Sequence, residues 1–326
     1  MDAAALAPGA IDTHAHVYPA AYLDLLEAGG RDPRTTGIAR SLGADSNEAD
    51  IGARLALMDE AGVGVQVLAA TPQTPSLDDP AAAGEAARMV NDEYLRLHRA
   101  HPDRFLLYLA LPLPHAVESV AELGRVLDDP ALRGGVVGVS VPTVLPGGQV
   151  LSDPRLDPVW AALDARGAVV NVHPTGSGAC SPLLTDHGLE WVNGAPVEDA
   201  TATLHLLAAD VPGRFPRIRF HVAHLGGDLP FLARRLEDNY EDWDAFPASP
   251  LQTLRGFHFD AANFHEPSLA LTAETFGADT LLAGSDFPYF QGEKYRRALD
   301  YIRTSRLSAE DRAGVLRENA LRLYGL

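Results

Sequence analysis

Two hydrophobic periods alternate along this chain, and that alternation restricts its fold more than any other feature. Short apolar runs rich in β-branched residues fall at 10–13, 63–70, 105–111, 136–141, 168–172, 218–223, 256–261 and 280–284. They are continuous rather than strictly alternating, as expected of strands covered on both faces. Between them lie stretches of helical period at 48–61, 81–100, 117–127, 157–166, 197–209, 229–243, 267–276 and 293–304, and a last one at 309–324 closes the chain. Ser46 or Asn47 stands where the first of these helices needs a cap, and Gly62 and Gly167 stand where helices should stop. Eight strands alternating with eight helices in one run predict an α/β fold, a (β/α)8 TIM barrel. An open doubly wound sheet is the competing architecture, but no GxGxxG follows any strand. The longest stretches without a period are 17–47 after strand 1 and 174–196 after strand 5. Both fall as insertions on the face where barrel enzymes keep their chemistry.

A length of 326 residues is compatible with two domains of ordinary size, yet α/β barrels use about 250 or more as one. The uninterrupted rhythm predicts a single domain over 1–326. The 44 acidic and 26 basic residues leave a net charge of -18, which argues against nucleic acid or an anionic membrane as partner. No run approaches the roughly 20 apolar residues of a membrane span, and MDAAALAPGAID lacks the basic and apolar segments of a secretory signal. With Cys180 as the one cysteine, no intrachain disulfide forms, and a cytoplasmic location is expected.

The chemistry-bearing residues gather at strand ends. Strand 1 closes on IDTHAHVYP, where residues two apart share a face, so His14 and His16 project together with Asp12 below them. Two imidazoles so placed can ligate one metal ion. AVVNVHP puts His173 just past strand 5, RFHVAHLGG puts His224 after strand 6, and LLAGSDFPY puts Asp286 after strand 8. All lie at the C-terminal ends of strands, which predicts a metal site there. His221, three residues before His224, should point the other way, toward the helices. His98, His101, His115, His187, His205, His258 and His265 read as solvated or capping, and nothing marks Cys180 as an activated thiol.

IDTHAH, VHP, HLGG and GSDFP, in this order and spacing, resemble the amidohydrolase superfamily. More narrowly they resemble its second family, which includes aminocarboxymuconate semialdehyde decarboxylase and the hydroxybenzoate decarboxylases. The similarity extends through RLALMDEAGVGVQVLAATP, LSDPRLDPVWAALDARGAVVNVHP and the terminal ENALRLYGL, and 134–174 looks closest to the methylsalicylate-decarboxylase branch. The resemblance implies that His14, His16, His173 and Asp286 are metal ligands and that His224 is an acid/base beside the metal. It implies that Arg235 reaches the substrate carboxylate of a neighbouring subunit, hence a homodimer. It also implies an arginine in the loop after strand 1, for which Arg40 is the nearest candidate. Superfamily members with two metals usually bridge them through a carboxylated lysine ending strand 4. Here strand 4 reads GVVGVSVP and the only lysine is Lys294, so one divalent ion is expected. Mixed nitrogen and oxygen donors suit zinc first and also manganese.

Two reactions fit these residues. The resemblance favours non-oxidative decarboxylation of a small aromatic or unsaturated carboxylic acid, with His224 and Asp286 handling the proton. Tyr18, Trp191, Phe287 and Tyr289 would wall a flat slot. The alternative is hydrolysis of a lactone, ester or amide by metal-activated water.

Overall fold

Each apolar run forms a strand in the computed structural model, which describes residues 3–326. The strands are β1 (Ala10–His16), β2 (Val63–Ala69), β3 (Phe105–Ala110), β4 (Val136–Pro142), β5 (Val169–His173), β6 (Arg219–Val222), β7 (His258–Asp260) and β8 (Leu281–Leu282). They lie in chain order in one sheet and every neighbouring pair is parallel. The first and last strands are tied as well. Thr13 N donates to Ala283 O at 2.8 Å, His16 N to Phe287 O at 2.8 Å and Asp286 N to His14 O at 2.9 Å. The result is a nearly closed (β/α)8 barrel.

The longer helices are α1 (Ala20–Ala28), α2 (Pro33–Arg40), α3 (Glu48–Glu60), α4 (Pro80–Ala100), α5 (Ala116–Leu127), α6 (Asp157–Ala165), α7 (Ala195–Ala208), α8 (Leu229–Trp243), α9 (Glu266–Phe276) and α10 (Glu293–Arg303). From α3 onward they alternate with the strands. Asn47, not Ser46, caps α3 by accepting from Asp50 N, and Gly62 and Gly167 take left-handed φ of 65° and 57° where α3 and α6 stop. Leu106 and Tyr108 of β3 pack in a set with Ile11, Val65 and Val67, closed at one end by Leu6, Leu323 and Tyr324. Leu107 and Leu109, the alternate positions, pack with the helix layer.

Three expectations need correction. The insertion after β1 holds two helices, α1 and α2, of 9 and 8 residues, shorter than the window in which a helical period registers. The insertion after β5 holds a four-residue helix and a π-type turn, Glu190–Gly194. The last helix is not continuous. Its turns relax to π-type at Gly314–Glu318, where the Val315 carbonyl accepts from Ala283 N at 2.8 Å and so joins the end of β8.

Candidate metal centre and active site

The centre is built first by an irregularity in β1. Asp12 pairs with Gln66 and Ala15 with Leu68, so two residues, Thr13 and His14, stand opposite Val67 alone. Such a bulge inverts the side-chain alternation. Asp12 therefore does not lie below His14. Its carboxylate accepts from Gln66 Nε2 at 2.9 Å, Ser285 N at 2.9 Å and Ser285 Oγ at 2.6 Å, with Tyr295 of α10 beside it. Behind this network Arg54 is buried, donating to Gln66 Oε1 at 3.0 Å and to the His16 carbonyl at 2.5 Å.

His14 and His16 turn to the opposite face and meet His173, the last residue of β5. Asp286 joins them from the segment after β8, where it holds a left-handed φ of 55°. One donor atom from each of the four lies within 4.8 Å of the others. His14 Nε2 is 3.0 Å from His173 Nε2 and 3.4 Å from Asp286 Oδ1, which is 3.3 Å from His16 Nε2. Donors bonded to one ion at 2.0–2.2 Å in a tetrahedron stand about 3.4 Å apart. The rings are also locked from behind. His14 Nδ1 bonds Asp260 Oδ2 at 2.9 Å, His16 Nδ1 the Ala69 carbonyl at 3.3 Å and His173 Nδ1 the Pro174 carbonyl at 2.7 Å. Each Nδ1 faces an acceptor, so each Nε2 presents its lone pair to the common point. These residues fit one divalent cation.

The four groups shift in different directions, each for a stated cause. Burial pulls His16 down to about 4, and burial with the neighbouring imidazoles holds His173 well below its ordinary value. At His14 burial opposes the charged form, but Asp260 and Asp286 outweigh it and bring it up to about 9. Asp286 is largely desolvated, yet hydrogen bonds from the surrounding imidazoles hold it well below the carboxylate range.

Strand parity fails at His224. β6 ends at Val222, and His224 takes a left-handed φ of 53°, so its ring turns inward. Its Nδ1 is 2.9 Å from Asp199 Oδ2, and its Nε2 is 3.8 Å from Asp286 Oδ2. Burial disfavours the imidazolium, but Asp199 and Asp286 together hold it well above the ordinary histidine value. His221 is buried inside the barrel rather than against the helices. It bonds Asp260 Oδ2 through Nε2 at 3.0 Å and the Tyr108 hydroxyl through Nδ1 at 2.9 Å. His98 is buried as well, with Nδ1 2.7 Å from the Phe105 carbonyl.

A cavity of about 750 Å³ opens over His173, His224 and Asp286. Trp191 and Tyr289 line it and stack at 6.3 Å with 23° between their planes. Tyr18 does not line it but lies behind, its hydroxyl 3.1 Å from that of Tyr289. Phe287 is turned to the core, covering the Arg54 guanidinium at 4.4 Å, because Asp286 and Phe287 leave the chain in opposite directions. Arg40 is not a cavity residue. It closes the gap between α1 and α2 through Asp24 at 2.6 Å and Glu27 at 2.9 Å. Arg31, between those helices, lines the cavity instead and donates to the Thr74 carbonyl at 2.7 Å. Arg235 is exposed on α8, away from its own chain's cavity.

Three residues of the site escaped the sequence reading. Asp260 ends β7, and the strand-end rule that selected Asp286 would have found it. Asp199 lies in the first turns of α7 and carries no marker. Arg31 was hidden by the unread helices around it.

A family model described as amidohydrolase matches residues 11–326. The 2-amino-3-carboxymuconate-6-semialdehyde decarboxylase of Dictyostelium discoideum is 27% identical over 289 residues, covering 86% of this chain and 78% of that protein. The gamma-resorcylate decarboxylase of Rhizobium sp. (strain MTP-10005) is 28% identical over 291 residues, covering 84% and 86%. Among solved structures, a dihydroxybenzoic acid decarboxylase from Polaromonas sp. JS666, with bound manganese and the inhibitor 2-nitroresorcinol, superposes with a TM-score of 0.83 at 20% identity, covering 98% and 97%. That likeness is one of fold. The family match runs from β1 to the last residue and includes every residue of the four-donor centre, and the chain belongs to the amidohydrolase family.

Proposed function

We propose that this protein is a metal-dependent, non-oxidative decarboxylase of a small aromatic or unsaturated carboxylic acid. The observation that carries the reading is the placement of His224, backed by Asp199 and bordering the cavity beside the four-donor centre. Relatives named as decarboxylases of unsaturated and aromatic acids support it.

His14, His16, His173 and Asp286 would hold the ion. Three neutral imidazoles and one carboxylate leave about one net positive charge on a divalent cation. When bound, the ion supplies Lewis acidity that orients an acidic substrate and stabilises charge as carbon dioxide departs. The chain's own task is the proton. As the bond to the carboxyl carbon breaks, its electron pair stays on the ring or chain carbon, and His224 Nε2–H delivers the proton that replaces the carboxyl group. Trp191 and Tyr289 give a planar substrate an apolar wall. Of the two arginines that line the cavity, Arg34 is paired with Asp32, and Arg31, half-buried and without a carboxylate partner among the described residues, is the one left to face it.

Zinc is our first expectation for the ion. Manganese suits the same donors and is the ion held by the Polaromonas relative. Elemental analysis of protein purified without added metal decides between them. We also propose a homodimer, in which the exposed Arg235 would reach the substrate of a second copy as the family resemblance implies, and a cytoplasmic location. No helix among the described residues is long and apolar enough to cross a membrane.

The test is a mass-spectrometric product screen of protein loaded with zinc or manganese. Hydroxybenzoates, aminocarboxymuconate-type acids, lactones and aryl amides would be offered. Loss of carbon dioxide from an acid is expected. Gain of water by a lactone or amide, with no acid decarboxylated, would replace this reading with hydrolysis.

A further inference from the structure

Four buried carboxylates surround the centre, and three of them are saturated with donors. Asp12 accepts from Gln66 and twice from Ser285. Asp260 accepts from His14, His221 and the backbone N–H groups of His224 and Ala262. Glu198 accepts from Thr143, from the N–H and hydroxyl of Thr175 and from Ser177, which pins the segment after β5. Such acids organise the backbone.

Asp199, the next residue on α7, is different. Its side chain is 0% exposed, its Oδ1 has no hydrogen-bond partner, and Oδ2 contacts only His224 Nδ1, at 2.9 Å. A buried carboxylate oxygen without a donor is costly, and buried polar groups in folded proteins are overwhelmingly paired. A carboxylate serving the fold at this position would be satisfied as Glu198 is. The whole interaction of Asp199 is directed at one imidazole, and that imidazole lines the cavity.

We infer that Asp199 is the positioning residue of His224. It accepts the Nδ1 proton, holds the ring plane and leaves Nε2 as the nitrogen that exchanges a proton with the substrate. An imidazole without that acceptor can rotate or place its single proton on either nitrogen, and only one of those forms serves the cavity. The inference rests on the acid/base role proposed for His224. It assigns a residue from a different element, a helix after β5, to the correct presentation of a residue after β6.

The test uses the metal-loaded protein, the acid identified by the product screen, and Asp199→Leu, Asp199→Ala and Asp199→Asn. Leucine fills the space with no acceptor, and asparagine keeps one. Leucine and alanine are expected to lower kcat on the order of 100-fold with KM and metal content within about twofold of the parent. Asparagine should restore kcat to within about tenfold. In the zinc form, nitrogen-15 spectra of the His224 ring are expected to show Nδ1 protonated in the parent and Nδ1 wholly or partly unprotonated in Asp199→Leu, a readout independent of substrate. Parental kcat in Asp199→Leu, equal loss in all three variants with an unchanged His224 spectrum, or loss of metal as the main effect would each overturn the inference. Failure of the underlying reading is separate: His224→Asn would then keep full activity whatever Asp199 does.

Discussion

Asp260→Asn should cost this protein metal affinity although Asp260 touches no metal. One carboxylate oxygen accepts from the His14 and His221 rings at 2.9 and 3.0 Å, and the other accepts from the backbone N–H groups of His224 and Ala262, each at 3.1 Å. An amide of the same shape has only one accepting oxygen. Backbone N–H groups cannot change their chemistry, whereas imidazoles can change tautomer. The amide oxygen therefore settles toward the backbone and the NH2 toward the rings. His14 then accepts at Nδ1 and carries its proton on Nε2, the atom that faces His16, His173 and Asp286. Loss of such an outer partner typically costs 10- to 100-fold in affinity, about 1.4–2.7 kcal/mol. The assay is chelator competition for zinc and for manganese, with thermal unfolding of the variant to confirm that the barrel is intact. An affinity within about twofold of the parent would refute the claim that Asp260 sets the His14 tautomer.

Four further outcomes are expected. His14→Ala or Asp286→Ala should lose metal content and activity together, and a variant that keeps both would remove its residue from the centre. His224→Asn should keep the metal and lose 10²- to 10⁴-fold in kcat, the usual share of a general acid or base; loss of metal instead would make His224 a ligand. Arg31→Gln should raise KM by about 10- to 100-fold, the worth of a hydrogen bond to a charged group, with little change in kcat; an unchanged KM for every acid would show that Arg31 does not meet the substrate. His258, half-buried, is pulled by burial down to about 4 from an ordinary 6.5. Above pH 6.5 it is neutral in both states and costs nothing. As the pH falls from 6.5 toward 4 the unfolded chain gains a proton that the native chain refuses, so stability falls, by at most about 3 kcal/mol before discounting for the ring's exposure. Denaturant unfolding of His258→Gln should show a smaller decline over that window, and parallel curves would sink the assignment.

The sequence alone determined the barrel and the address of its chemistry. Eight strand periods and eight helical periods leave one economical closed arrangement, and the histidines and acid at the strand ends follow from where strands stop. It also placed His14, His16, His173 and Asp286 together, because each belongs to a strand end that the barrel gathers. Tertiary structure decided what surrounds them. Parity along a strand holds only while the strand is regular, so the bulge at Thr13 and His14 moved Asp12 to the outer layer, and the left-handed turn at His224 let that ring face the cavity although His221 also points into the barrel. The carboxylates that aim the rings, Asp199 and Asp260, come from a helix and a strand 25 and 36 residues away from His224. Which arginine is left without a carboxylate at the cavity depends on how two short helices pack, which freed Arg31 and tied Arg40 to Asp24 and Glu27. Local pattern is a one-dimensional signal, and the orientation of a side chain toward partners from other elements is set only when those elements close on each other.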